Sequence, residues 1–344
     1  MPSTPLVSLL IPTYNNGGTV ADSIASCMQQ TFPDIEILLY DEASRDNTRQ
    51  ILAAAADRDK RIRVTVSDTN SGPVRAWRKL LHTATGRWST FVWSDDLLMP
   101  RYVETLVGIL ERNPPHLIAG CNSYIDYCEG RKLNEAVDFR SYTPTPRQRL
   151  LHEFPTMKLK ADEYALGILA AVYPVNQINS LFDTAVAREV FDHYIEFENP
   201  YGFDFSRQAY GNDVAFLSEM ALRSGEVVEL GDPLTVVRDS PASMTTNARR
   251  SHQWQFWLQY TWAAKSAWTL CRHLSPRMST LIRVAGDRVS FCDTFYSLLK
   301  GRWPRAVNPV KFTRALWFLR RQDRRLNKNV SPATIQAWLA GHET

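Results

Sequence analysis

Trp93-Ser94-Asp95-Asp96 sets two adjacent carboxylates at the end of a β-type run, Trp88 to Trp93. Paired acids at a strand end suit a hard divalent cation, Mn2+ or Mg2+, which takes oxygen ligands and keeps positions open for a diphosphate. An Asp-Asp pair is also what a solvated turn or a helix cap looks like. The setting favours the first reading, because the pair closes the last of four regularly spaced strand–helix units.

Those units position the acids. Val7 to Ile11 is a short apolar run ended by Pro12, and Gly17 to Gln30 follows with helical character. Ile35 to Tyr40 is the next strand, then a helix capped near Ser44 or Asp46 and running through Ala56. Ile62 to Val66 and the helical Gly72 to Thr85 form the third unit; Trp88 to Trp93 opens the fourth, with Leu97 to Pro100 starting its helix. Strands alternating with helices of this length predict an α/β protein with a parallel sheet covered on both faces. Such sheets bind ligands beyond the carboxyl ends of their strands. Pro12-Thr13-Tyr14-Asn15, Asp41-Glu42, Asp68 and Asp95-Asp96 all fall there. Neither Gly-x-Gly-x-x-Gly nor Gly-x-x-x-x-Gly-Lys-Ser/Thr occurs, which argues against a dinucleotide-binding enzyme and a P-loop NTPase. Further on, Val227 to Leu230 and Leu234 to Val237 read as two strands, and Glu129 to Lys160 as an irregular loop long enough to cover a site.

In this order the segments resemble the family 2 glycosyltransferases, inverting enzymes of the GT-A fold that use nucleotide-sugars. Val7 to Asn15 is similar to the family's opening strand, Gln29 to Ile37 to its helix-to-strand junction, and Tyr40 to Thr48 to its Asp-Asp-x-Ser-x-Asp-x-Thr segment, with Glu42 in place of the second Asp. Gly86-Arg87-Trp88 leads into the metal motif at Asp95-Asp96. The resemblance covers roughly residues 5–245 and implies a GT-A nucleotide-sugar-binding, Rossmann-like mixed sheet followed by a helical C-terminal extension.

It also implies roles. Pro12, Thr13 and Tyr14 would pack on the nucleobase, and Asp41 or Glu42 would accept an N–H from it, uracil fitting best. Asp96 would hold Mn2+ or Mg2+, and Asp95 would orient the sugar or the metal's waters. Asp213, in Tyr210-Gly211-Asn212-Asp213, takes the position of the base that removes the acceptor's proton; Asn212 replaces the acid usual beside it. Arg238 is a candidate diphosphate contact, and Ser240 stands where relatives often carry a His. Each acid has a plainer alternative: helix capping for Asp41, Asp46 and Asp213, a surface ion pair for Arg238.

Composition bounds the remainder. Five cysteines without Cys-x-x-Cys spacing argue against a disulfide framework and a structural zinc site, and for a reducing compartment. No basic-then-apolar leader and no run of 18 apolar residues is present, so the expectation is a cytoplasmic protein that spans no membrane. Residues 1–248 read as the catalytic domain and 249–344 as an extension of opposite charge. The extension holds 17 Lys and Arg against 4 Asp and Glu, where the first 248 residues hold 23 against 32. Seven of the ten tryptophans lie in it (Trp254, Trp257, Trp262, Trp268, Trp303, Trp317, Trp338), and Arg314 to Arg325 is a basic, helix-like run. Basic helices bearing Trp and Leu suit peripheral attachment to an anionic membrane, here its inner face. The alternative is packing onto the catalytic domain or a partner subunit. No nucleic-acid recognition fold accompanies the charge. The function expected is sugar transfer from a nucleotide-sugar donor to a glycan or lipid-linked glycan acceptor in bacterial surface polysaccharide synthesis. Two other readings remain: a catalytically silent nucleotide-sugar-binding protein, and a membrane scaffold of a glycan pathway.

Overall fold

The computed structural model describes residues 5–127, 148–169, 176–195, 207, 209, 211–239, 253–274 and 282. It divides into two compact units: Met1–Lys158, Asn176–Ala209 and Glu226–Pro241 form one; Leu159–Val175, Tyr210–Gly225 and Ala242–Thr344 form the other.

The first unit is built on a mixed sheet. Its opening strands are β1 (Val7–Thr13), β2 (Ile35–Asp41), β3 (Ile62–Val66) and β4 (Trp88–Phe91). Between and after them come α1 (Val20–Met28), α2 (Thr48–Arg58), α3 (Pro73–Thr83), the two-residue β5 (Leu97–Leu98) and α4 (Tyr102–Arg112). Then follow β6 (Ile118–Tyr127), β7 (Gln148–Leu150), β8 (Met157–Lys160), β9 (Ser180–Asp183), α6 (Thr184–Ile195) and β10 (Glu226–Asp239). The sheet order is β3-β2-β1-β4-β9-β6-β10-β5, with β7 beside β6. The first four strands run parallel, β9 runs antiparallel to both its neighbours, and β6 and β10 are parallel to each other.

Burial explains the strand residues. β1 and β2 are buried at every position, as apolar strands covered on both faces must be. Edge strand β3 alternates more, with only Ile62 buried. The core joins Leu9, Ile11, Ile37 and Leu39 of the sheet to Val20 and Ile24 of α1 and to Val103, Leu106 and Val107 of α4. At the opposite end from the carboxyl termini, Glu36 accepts from Ser8 Oγ at 2.6 Å and from the Thr85 N–H at 2.6 Å. Those bonds hold its carboxyl below the usual range against the effect of burial. Gly86 passes here: a Cβ on it would lie 2.8 Å from the backbone N of Ser8, so a side chain has no room.

Four sequence expectations change. Leu97-Leu98 is not the start of a helix but a short strand antiparallel to β10, because Thr235 and Val236 offer it a ladder edge. The two strands read at Val227 to Leu230 and Leu234 to Val237 are one, β10, which absorbs Gly231 to Pro233 through register shifts against β6. Glu129 to Lys160 is not wholly irregular: its described part contains β7 and β8. Helix α2 begins at Thr48, beyond both capping candidates, and Asp46 Oδ1 accepts the Thr48 N–H at 3.0 Å.

The second unit groups α5 (Ala161–Leu169), α7 (Asn212–Ser224) and α8 (Gln253–Leu270). α7 packs against both other helices and is buried almost throughout, from Val214 to Leu222. Within it Glu219 is 1% exposed, and the Arg223 guanidinium one turn on donates to it at 2.8 Å. From α8, Ala263, Ala264, Ala267 and Trp268 are buried. Among the described residues no helix is long and apolar enough to cross a membrane.

Candidate active site

The polar clusters do converge at the carboxyl ends of the parallel strands. Thr13 and Asp41 face each other at the last rung of the β1–β2 ladder, and Val66 of β3 stands opposite Asp41. Just beyond, the chain turns sharply twice. Asn15 has φ 52° and Ala43 φ 62°. Asparagine tolerates this left-handed region, whereas alanine there costs on the order of 1 kcal/mol. That strain is held by cross-bonds between the two turns: Asn15 N–H to Ser44 Oγ at 2.9 Å, and Arg45 N–H to Asn15 Oδ1 at 2.8 Å.

Asp41 is fully buried. One oxygen, Oδ2, accepts from the Ser44 N–H at 3.0 Å and Arg49 Nε at 2.9 Å. The other, Oδ1, has no hydrogen-bond partner among the described residues, and neither does Thr13 Oγ1 beside it. An orphaned buried carboxylate oxygen costs roughly 1–3 kcal/mol or more, so such a group calls for a donor. Tyr14 is 43% exposed on the same rim, and Pro12 lies buried one residue before Thr13. Glu42 is placed differently. Its Oε1 accepts from the Ser71 N–H at 3.1 Å and Ser71 Oγ at 3.2 Å, fixing the 67–72 loop; burial raises its pKa.

The acid pair lies past β4. Asp96 is 3% exposed, and its Oδ1 accepts the backbone N–H of Arg238 at 2.8 Å. Asn176 also donates a side-chain hydrogen bond to Asp96 and accepts one from Trp93 Nε1. Trp93 stacks on Phe91 with centroids 5.7 Å apart and lies 4.9 Å from Trp77, which fixes the turn before the acids. Burial and the neighbouring Asp95 charge push Asp96 well above the ordinary carboxylate range, with Arg238 and Asn176 opposing. Burial also raises Asp95, again opposed by the Arg238 charge. Two partly desolvated carboxyls forming an oxygen-only donor set fit a hard divalent cation, whose charge would favour ionisation of both. Among the described residues no group of three or more His, Cys, Asp or Glu that could hold a metal ion gathers there.

Asn16 ties the two regions together. Its N–H donates to Thr48 Oγ1 at 3.0 Å and its amide to Ser94 Oγ, while Thr19 Oγ1 donates to the Ser94 carbonyl at 2.9 Å. Arg238, expected to face a diphosphate, is 4% exposed and directed inward, its guanidinium bound to Asp22 Oδ2 at 2.9 Å and to the Asp95 carbonyl.

Residues 8–163 match the model of Glycosyl transferase family 2, a span that contains Thr13, Asp41, Asp95 and Asp96. Over that span the chain is similar to a family 2 glycosyltransferase domain. An uncharacterized glycosyltransferase of Haemophilus influenzae is 32% identical over 125 residues, 36% of this chain and 49% of that protein. The Escherichia coli UDP-Glc:alpha-D-GlcNAc-diphosphoundecaprenol beta-1,3-glucosyltransferase WfgD is 33% identical over 109 residues, 31% of this chain and 42% of that one. The chain thus spans about half or less of the length of these relatives. The crystal structure of Staphylococcus aureus TarS 1-349 in complex with UDP aligns with a TM-score of 0.50 at 16% identity, over 88% of this chain and 94% of that chain. That likeness gives the GT-A fold.

Asp213 lies outside the matched span, in the second unit. The N-cap of α7 is Gly211, with φ 84°, so Asp213 sits inside the first turn and is not the cap. Negative charge is favoured at that end of a helix. Asn212 is fully buried, and neither end of its amide has a partner among the described residues. Ser240, Trp303, Trp317, Trp338 and the Arg314 to Arg325 run lie outside the described residues, as do the side chains of Trp254 and Trp257.

Sequence reasoning missed Asn16, Asp22, Ser94 and Asn176. Asn16 and Ser94 adjoin motifs and could have been suspected on that ground. Asn176 comes 80 residues after the acids with no local signal, and Asp22 reads as an ordinary first-turn acid of α1.

Proposed function

We propose that the protein transfers a sugar, with inversion, from a UDP-linked donor to a hydroxyl of a glycan or lipid-linked glycan acceptor in bacterial surface polysaccharide synthesis. The observation that carries this reading is the pair of buried polar atoms without a partner among the described residues, the Thr13 hydroxyl and Asp41 Oδ1, next to an exposed Tyr14 ring. Uracil offers one imide N–H, which Asp41 Oδ1 accepts, and an aromatic face for Tyr14 and Pro12. WfgD, whose name specifies a UDP-Glc donor and a diphosphoundecaprenol-linked acceptor, and TarS, solved with UDP, support that choice.

Asp96 would hold Mn2+ or Mg2+ directly, and Asp95 would orient the sugar or the metal's waters. When bound, such a cation neutralises the charge that develops on the departing diphosphate. Asp213 accepts the proton of the acceptor hydroxyl as its oxygen bonds the anomeric carbon and the bond to the diphosphate breaks. A carboxylate serves because it is ionised at neutral pH, and general-base catalysis contributes about 10²–10⁴-fold. Asn212, whose amide has no partner among the described residues, donates to and accepts from acceptor hydroxyls. The basic extension attaches the protein to the anionic inner face of the membrane, where a lipid-linked acceptor lies.

A panel of nucleotide-sugars with Mn2+, read by thermal unfolding, tests the donor. A UDP-linked sugar at 100 times its dissociation constant should stabilise by about 2.7 kcal/mol. Stabilisation by a donor with another base, and none by any UDP-linked one, contradicts the reading.

A further inference from the structure

Arg238 is a permanent cation at the end of β10, 4% exposed, that the proposed chemistry does not use. A guanidinium presents five N–H donors in a rigid fork. Here that fork grips two segments far apart in the chain. Nε donates to the Asp95 carbonyl. Nη1 donates to Asp22 Oδ2 at 2.9 Å, and Nη2 to the Thr19 carbonyl at 3.3 Å, with Ser23 Oγ at 3.5 Å. The residue's own backbone N–H holds Asp96 Oδ1 at 2.8 Å. One residue therefore joins the end of β10, the first turn of α1 and the turn bearing both acids.

The Asp22 pair is desolvated on both sides, with side-chain exposures of 3% and 11%. Removing one member of such a pair leaves an uncompensated buried charge, so the pair is a strong constraint on position even where its net stabilisation is small. Surface pairs such as Arg101–Glu104, 73% and 49% exposed, impose nothing comparable. Lysine cannot replace the fork, because its single ammonium cannot reach the Asp95 carbonyl, Asp22 and Thr19 in one planar arrangement.

We propose that Arg238, held by Asp22, is a positioning residue that fixes the Asp95-Asp96 turn in metal-binding geometry without itself touching the diphosphate. The inference rests on the reading that Asp96 holds the metal.

The full chain is compared with Arg238→Lys and Asp22→Asn in three measurements. They are Mn2+ uptake in the presence of UDP by loss of the free-Mn2+ EPR signal, metal-free binding of UDP and of uridine by calorimetry, and thermal unfolding. Expected is a tenfold or greater weakening of Mn2+ uptake in Arg238→Lys and a smaller one in Asp22→Asn. Metal-free affinities for UDP and uridine should stay at wild-type values, because Thr13 and Asp41 belong to other strands. Should Arg238→Lys fail to fold, Asp22→Asn decides alone, since it preserves shape and removes only the charge. Wild-type Mn2+ uptake in folded variants overturns the positioning role. Selective loss of metal-free UDP affinity, with uridine unchanged, also overturns it by making Arg238 a diphosphate contact. A wild-type protein that takes up no Mn2+ with UDP instead removes the metal reading, and the proposal with it.

Discussion

Thr13 and Asp41 stand opposite each other at the last rung of the β1–β2 ladder, and each carries a buried side-chain oxygen without a partner among the described residues. At the other strand ends, by contrast, Ser8, Glu36 and Thr85 satisfy one another closely. Asp41 Oδ1 can accept from a ligand's donor, and the Thr13 hydroxyl can donate or accept.

Asp41→Asn should therefore weaken UDP binding. The charge-assisted bond to a buried carboxylate contributes about 1.5–3 kcal/mol, so roughly a 10- to 100-fold loss is expected by calorimetry. Wild-type affinity in a folded variant would leave the base to be read elsewhere.

Asp213→Asn should leave UDP affinity nearly intact while lowering kcat by about 10²-fold or more, since a base acts only in the transition state. Steady-state kinetics beside direct UDP binding separate the cases. Collapse of donor affinity with normal residual turnover would make Asp213 a structural acid of α7.

Glu229 of β10 supplies a pH prediction apart from catalysis. It is 1% exposed beside Gly120, where a Cβ would lie 1.9 Å from its Oε2, and burial pushes its pKa well above the ordinary value. The folded protein thus keeps a proton that the unfolded chain loses near the usual glutamate pKa. The stability this group contributes is full below that pKa and declines as pH rises toward the folded value, by about 1.4 kcal/mol per pH unit. Denaturant unfolding at pH 5 and pH 8 should show Glu229→Gln gaining on the wild type at the higher pH. A difference independent of pH would mean that Glu229 is ionised in the fold.

Much of this architecture was legible in the sequence because fully buried strands are written as largely apolar runs, as Leu9 to Ile11 of β1 and Ile37 to Tyr40 of β2 are. β5 was not, since Leu97-Leu98 is too short to show a period and becomes a strand only against Thr235 and Val236. Arg238 was legible as a cation near the site but not as an inward one, because its direction is set by Asp22, 216 residues earlier. The tail tryptophans divide likewise. Composition marks them as membrane-facing or packed, and Trp268 is packed, fully buried in the second unit.

That burial changes how membrane attachment should be tested. Deleting the chain from Ser251 onward would remove α8 from beside α7 and disturb the helix that carries Asp213, so the full-length protein is the right material. Co-sedimentation with anionic vesicles should be strong at 0.1 M salt and lost near 1 M, as the Debye length falls from about 10 Å to about 3 Å. Absence of binding at low salt would assign the tail's charge to another partner.

Release of nucleoside diphosphate from UDP-, GDP- and CDP-linked sugars in the presence of Mn2+ tests the central claim most directly, because a competent transferase slowly passes its sugar to water. The account predicts turnover of a UDP-linked donor that is abolished by EDTA and by Asp96→Ala. Binding of a donor without any release, or release undiminished by EDTA and in Asp96→Ala, would contradict it.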